Sequence, residues 1–96
     1  NNNLQIDGTI GDVIGLNNIK EKFVSFGFYA LEIDGNDIEQ IVKALEKAKT
    51  VKDKPTVIIA KTVKGKGISY MENQVGWHGK APNEEEFNIA IKELIK

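Results

Sequence analysis

Three short stretches of this 96-residue chain hold side chains suited to chemistry: NNNLQIDG at 1–8, KTVKGKG at 61–67 and VGWHGKAP at 75–82. In the first, asparagine side-chain carbonyls and main-chain carbonyls are good ligands for hard cations. An extended chain turns alternate groups to one side, so the Asn2 side chain and the Leu4 carbonyl can reach one ion. Neither ligand is charged, and Mg²⁺ held there would also need an acidic group and phosphate oxygens. Amide capping at the start of a strand is the simpler local reading.

The second stretch sets Lys61, Lys64 and Lys66 beside Gly65 and Gly67. Glycines let main-chain N–H groups approach a phosphate, and a lysine supplies charge. The run lacks the Gly-Lys-Ser/Thr ending of a P-loop, so on its own it reads first as a solvated basic turn. The third stretch holds the chain's one histidine and one tryptophan. Gly76 and Gly79 constrain the main chain around His78 and Lys80. An imidazole there can carry a proton or donate to an oxyanion, or it can be ordinary polar surface, and the local chemistry puts the surface reading ahead. Ser25 and Ser69 lack the context of a nucleophile elbow.

The elements that must position these residues alternate between helix and strand. Val13, Leu16, Ile19, Phe23 and Phe26 recur at helical spacing, with a break expected near Asn17-Asn18 and an end at Gly27. FYALEIDG reads as a strand closed by a turn. Asn36, with Glu39 three residues on, has the form of a capping box for a helix whose apolar face is Ile38, Ile41, Val42 and Leu45. TVIIAKTV is consecutively apolar, as a strand buried on both faces of a parallel sheet reads. Asn83 and Glu86 repeat the capping-box spacing before a helix that would bury Phe87, Ala90, Ile91, Leu94 and Ile95. The expected architecture is an open α/β sheet whose ligands lie beyond the carboxyl ends of strands, after Leu4–Ile6, Ile33 and Val63.

Composition narrows the function classes. With 13 basic and 14 acidic residues the net charge is −1, which argues against a nucleic-acid or membrane-surface binder. The chain has no cysteine, which removes disulfides and thiolate metal sites. Its apolar runs are too short to span a bilayer, and nothing resembles a targeting peptide. These features favour a cytoplasmic protein, and a first residue other than Met suggests a fragment.

Taken together, NNNLQIDG, EIDGNDIEQI, PTVIIAKTVKGKG and GWHGKAP, in this order and spacing, resemble the thiamine-diphosphate-binding region of transketolase, most of all the N-terminal subunit of split bacterial and archaeal transketolases. The resemblance implies an α/β fold: the C-terminal part of an open, mostly parallel sheet domain with flanking helices, the thiamine-diphosphate-binding fold. The asparagines look like the closing half of the family's cofactor motif. Asn2 matches the side-chain Mg²⁺ ligand and Leu4 the residue whose main-chain carbonyl binds the same metal. Ile6 falls where the family contacts the thiazolium side of thiamine diphosphate. Lys64 matches a residue near the diphosphate. His78 matches the active-site histidine near the diphosphate and the sugar, a catalytic, cofactor-binding and substrate-binding position, and Lys80 follows it as a substrate-binding candidate.

The opening Gly-Asp-Gly half of the motif is absent, as are the family's earlier histidines and the domain that binds the aminopyrimidine ring. Residues 1–96 are therefore expected to be a partial cofactor domain lacking its N-terminal half, inactive alone. The resemblance implies sugar phosphates as substrates. The implied partners are the missing part of this domain and a pyrimidine-binding domain or subunit, in a homodimer or heterotetramer. Two alternatives stand beside it: another thiamine-diphosphate enzyme of the deoxyxylulose-phosphate synthase or 2-oxoacid dehydrogenase type, and a non-catalytic α/β interaction module.

Overall fold

The computed structural model describes residues 1–5, 7–13 and 15–95, the side chain of Val13 excepted. In chain order the elements are β1 (Leu4–Gln5), β2 (Gly8–Thr9), α1 (Ile10–Val13), α2 (Ile19–Ser25), β3 (Tyr29–Asp34), α3 (Ile38–Thr50), β4 (Thr56–Lys61), a 3₁₀ turn (Val75–Trp77) and α4 (Glu84–Leu94).

The centre is a β-α-β unit. β3 and β4 pair in parallel, with Tyr29 opposite Thr56 and Asp34 opposite Lys61, and α3 makes the crossover that a parallel pair requires. Ile59 and Ala30 are buried in the two strands, Ala44 on α3 and Ala90 on α4. Val57, Ile58 and Ala60 are only half-buried: the unbroken apolar run is that of a strand covered on both faces, and the two-stranded sheet covers β4 in part.

The helix boundaries follow capping chemistry. The apolar run after residue 10 is interrupted as expected: α2 begins only after Asn18, whose side chain accepts from the Glu21 N–H. It ends where Gly27 takes φ +90° and donates to the Val24 carbonyl, and the Phe23 and Phe28 rings meet edge-on across that turn at 5.2 Å. At α4 the expected capping box is complete, the Asn83 side chain accepting from Glu86 N–H and the Glu86 carboxylate from Asn83 N–H, both at 2.8 Å.

Three expectations are corrected. The cap of α3 is Asp37 rather than Asn36: its carboxylate accepts from the Glu39 and Gln40 N–H groups. Gln40 fills the neighbouring role, donating to Asp37 and accepting from the outward N–H of Asp34. Leu4 does not lead into the parallel sheet; with Gln5 it pairs antiparallel to Gly8–Thr9 in a separate two-stranded ribbon. The helical apolar faces are also only partly used. Ala44 is buried and Ile41 half-buried on α3, whereas Ile38, Val42 and Leu45 face solvent; on α4, Phe87, Leu94 and Ile95 are likewise exposed.

That exposure has a geometric cause. The molecule measures 52 × 33 × 16 Å, with a radius of gyration of 16.7 Å, against roughly 12–13 Å for a compact chain of this length. A two-stranded sheet with helices cannot enclose the faces that its helices present. Among the described residues, no helix is long and apolar enough to cross a membrane.

The turn after β3 approaches the end of β4 at main-chain distance. Gly35 N–H donates to the Lys61 carbonyl at 2.6 Å. A Cβ on Gly35 would lie 2.6 Å from Thr62 Cγ2 and 2.8 Å from Ala60 Cβ. Gly35→Ala should therefore destabilise the protein by about 1–3 kcal/mol, the usual range for overpacking, measured by urea denaturation; unchanged stability would show that the turn relaxes freely.

Candidate functional site

The three consecutive asparagines each do something different. Asn1 sits beside the end of β4: its main-chain nitrogen donates to the Ala60 carbonyl at 2.8 Å and its carbonyl accepts from Thr62 N–H at 3.0 Å. Its side chain accepts from Asn3 N–H. The Asn2 side chain accepts from Leu4 N–H at 3.0 Å. Asn3 between them takes φ +59°, a left-handed conformation that asparagine tolerates better than most residues. The segment is thus two overlapping Asx turns rather than the extended chain inferred from the sequence. The turns still bring Asn2 and Leu4 to the rim of the same cavity.

That cavity, about 310 Å³ in volume, is lined by Asn2, Leu4, Gln5, Lys64, Val75 and His78. It gathers four of the sequence-predicted positions from three separate segments. Ile6 lies outside the described residues. Lys80 is not among the lining residues; its ammonium lies 4.2 Å from the centre of the Trp77 ring, a cation–π contact. Gln5 and Val75 were missed because neither type signals chemistry. Only their neighbours, Leu4 and His78, could have pointed to them.

Lys64 reaches the cavity from a tightly specified turn. Its carbonyl accepts from Asn73 N–H at 3.0 Å. Gly65 follows at φ +72°, with Met71 so close that a Cβ would meet the Met71 main chain at 2.7 Å. A side chain at 65 would thus meet both strain and collision, and this explains the glycine next to the lysine. The basic run is consequently a built turn, with Lys64 half-buried while Lys61 and Lys66 stay exposed.

His78 is placed by the 3₁₀ turn before it, its N–H donating to the Val75 carbonyl, and by Gly79 at φ +80° after it. The loop carrying it is tacked to α4. Ser69 donates through both N–H and Oγ to the Glu93 carboxylate, Tyr70 donates its hydroxyl to the Glu86 carbonyl at 2.7 Å, and Trp77 Nε1 donates to the Tyr70 carbonyl. A larger, shallower groove runs along the carboxyl ends of β3 and β4; within it Lys61 pairs with Glu32 at 3.4 Å and the Asp34 carboxylate accepts from Asn36 N–H.

The family described as "Transketolase, thiamine diphosphate binding domain" matches residues 1–94. The chain belongs to this transketolase family. One subunit of the apulose-4-phosphate transketolase from Phocaeicola vulgatus is 36% identical over 93 residues, which cover 97% of this chain and 33% of that protein. The 6-deoxy-6-sulfo-D-fructose transketolase subunit SqwG from Clostridium sp. is 37% identical over 95 residues, 99% of this chain and 34% of its own length. The crystal structure of transketolase from Campylobacter jejuni superposes with a TM-score of 0.83 at 41% identity, covering 96% of this chain and 14% of that one. The chain therefore spans about a third of the length of the two curated relatives. Fold and family agree with the expectation from sequence: a transketolase thiamine-diphosphate-binding region with a parallel sheet and flanking helices.

Burial pushes the Tyr70 hydroxyl above its ordinary value of 10.0, with the Glu86 and Glu93 carboxylates adding to the shift. A folded value above the unfolded one means that the hydroxyl's contribution is complete below pH 10.0 and is lost as pH rises through the raised value. Tyr70→Phe should lower the melting temperature at neutral pH, and the gap between variant and parent should close above that range. A constant gap in melts taken across the alkaline limb would contradict this role for the hydroxyl.

Proposed function

We propose that this chain supplies the diphosphate and metal side of the cofactor site in a transketolase, which transfers a two-carbon ketol unit between sugar phosphates with thiamine diphosphate and Mg²⁺. The observation that carries the reading is the cavity where Asn2, Leu4, Lys64 and His78 meet. These are the positions at which the chain resembles the family's cofactor and substrate residues.

The donor set suits part of a hard-cation site. Asn2 Oδ1 already accepts from Leu4 N–H, but a carbonyl oxygen has a second acceptor position, and the Leu4 carbonyl adds another neutral oxygen. Among the described residues no carboxylate lines the cavity, and no group of three His, Cys, Asp or Glu side chains could hold a metal. Mg²⁺ favours near-octahedral oxygen coordination. The remaining ligands would be diphosphate oxygens, water and an acidic group from elsewhere in the enzyme. Lys64 binds the diphosphate as a point charge. The cofactor, when bound, supplies the nucleophilic carbon that carries the two-carbon unit. His78 donates a hydrogen bond to the sugar or to the oxyanion that develops on it. Lys80, two residues on with its ammonium over Trp77, is in this reading a substrate-binding residue. Ile6, in this reading, contacts the thiazolium side.

Residues 1–96 act in this reading as part of a cofactor domain. The flat shape and the exposed Ile38, Leu45, Phe87 and Ile95 are surfaces that the remainder of the domain or a partner protein would cover. Three of the relatives are named as transketolase subunits, which fits an enzyme assembled, as a homodimer or heterotetramer, with a pyrimidine-binding subunit. In this reading the chain alone is inactive.

The test uses the assembled enzyme. Lys64→Ala should weaken thiamine diphosphate binding by about ten- to a hundredfold, the range for a charged hydrogen bond. Asn2→Ala should weaken it in a way that raised Mg²⁺ restores, while the lysine variant is restored much less. His78→Ala should lower kcat by on the order of 10²–10³ with cofactor affinity nearly kept. Calorimetry and steady-state kinetics read these effects, and wild-type values in all three variants would refute the assignment.

A further inference from the structure

Asn36 stands outside the cavity, yet its side chain holds the main chain that enters it. Asn36 Oδ1 accepts from Val63 N–H at 2.8 Å, a bond across 27 positions of sequence. Val63 lies two residues beyond the end of β4, where the ladder no longer supplies a partner for its N–H. Lys64 follows directly. On its other side the chain is fixed again, the Lys64 carbonyl accepting from Asn73 N–H. Lys64 is thus clamped through the amide before it and through its own carbonyl, by side-chain and main-chain groups of two different loops.

The near end of this clamp is itself anchored. Asn36 N–H donates to Asp34 Oδ1 at 2.9 Å, and Gly35 N–H to the Lys61 carbonyl. The absence of a side chain at 35 lets this turn lie against Ala60 and Thr62, close enough for a residue as short as asparagine to reach Val63. The turn after β3 and the exit of β4 therefore move as one body. The capping task that Asn36 was expected to perform is carried by Asp37, which leaves the Asn36 amide for this contact.

We propose that Asn36 is a positioning residue for the cavity: by holding Val63 it aims the Lys64 ammonium at the phosphate of the bound ligand. This inference rests on the reading of Lys64 given under Proposed function. Without the bond, the Val63–Lys64 peptide gains freedom, and the ammonium spends part of its time away from the ligand. The loss expected is that of one hydrogen bond, roughly three- to tenfold in affinity, and it exists only while Lys64 carries its charged head.

The experiment is a double-mutant cycle in the assembled enzyme, read by calorimetry with inorganic diphosphate and Mg²⁺. Asn36→Leu, close to isosteric but without the acceptor, should weaken diphosphate binding by roughly three- to tenfold. In the Lys64→Ala background the same substitution should leave affinity unchanged, because the group it aims is gone. Equal losses in both backgrounds would make Asn36 a purely structural residue, and no loss in either would remove it from the site; both overturn the proposal. Asn36→Ala, less crowded, is read the same way if the leucine variant does not fold, and failure of both to fold also assigns Asn36 to structure alone. Undiminished binding by Lys64→Ala itself defeats the reading of the cavity, and this inference with it, and so separates the two failures.

Discussion

Gly35 lies against the exit of β4 with no room for a side chain between them, and much of the site follows from that approach. It lets the Gly35 N–H bond to the Lys61 carbonyl and brings Asn36 within reach of Val63. It therefore sets where the chain leaves the sheet. On the opposite side of the same exit, Asn1 bonds to Ala60 and Thr62, and its neighbours Asn2 and Leu4 reach the cavity. The Lys64 side of the cavity and its asparagine side are thus both referenced to three residues, 60 to 62, at the carboxyl end of one strand. Open parallel sheets use that place for ligands because the loops there are free to vary while the strands stay rigid.

The same economy leaves the molecule thin. A sheet of two paired strands offers little area for its helices, so apolar residues on α3 and α4 remain in solvent: Ile38 at 72%, Leu45 at 52%, Phe87 at 52% and Ile95 at 74% exposure. Scattered exposed apolar residues are ordinary. A helix with most of its apolar stripe exposed is not, since tertiary burial of that stripe supplies most of a helix's stability. In the proposed reading these are the faces that the rest of a cofactor domain or a partner protein would cover.

Much of this was legible in the sequence where the governing interactions are local. The Gly27 stop, the Asn83–Glu86 capping box and the strand β4 each depend on residues a few positions apart, and each appears as expected, although β4 is only partly covered. The α3 cap was misplaced by one residue because Asn36 and Asp37 both precede a residue at capping-box spacing. What decides between them is the contact of Asn36 with Val63, which no local pattern contains. The asparagine run was read as an extended chain that turns Asn2 and Leu4 to one side, whereas Asn3 at φ +59° folds the segment into turns and both residues line one cavity all the same. Periodicity marked the apolar faces of α3 and α4 but cannot say whether this chain covers them. His78 and Lys64 were singled out by type and by resemblance. Their meeting in one cavity with Gln5 and Val75 needed the loop from 65 to 82 to fold back along α4, through Ser69 to Glu93 and Tyr70 to Glu86.

In the proposed reading the folded asparagine segment and the Lys64 turn together make one metal–diphosphate site. The most direct measurement is a crystal structure of the assembled enzyme soaked with thiamine diphosphate and Mn²⁺ in place of Mg²⁺, with anomalous data to locate the metal. A shared site would show an anomalous peak within oxygen-ligand distance of a small divalent cation, slightly beyond the roughly 2.0–2.1 Å of Mg²⁺, from both Asn2 Oδ1 and the Leu4 carbonyl, with the Lys64 ammonium on the diphosphate. A metal peak bound to the diphosphate but away from Asn2 and Leu4, or a diphosphate lying outside the cavity, would contradict it.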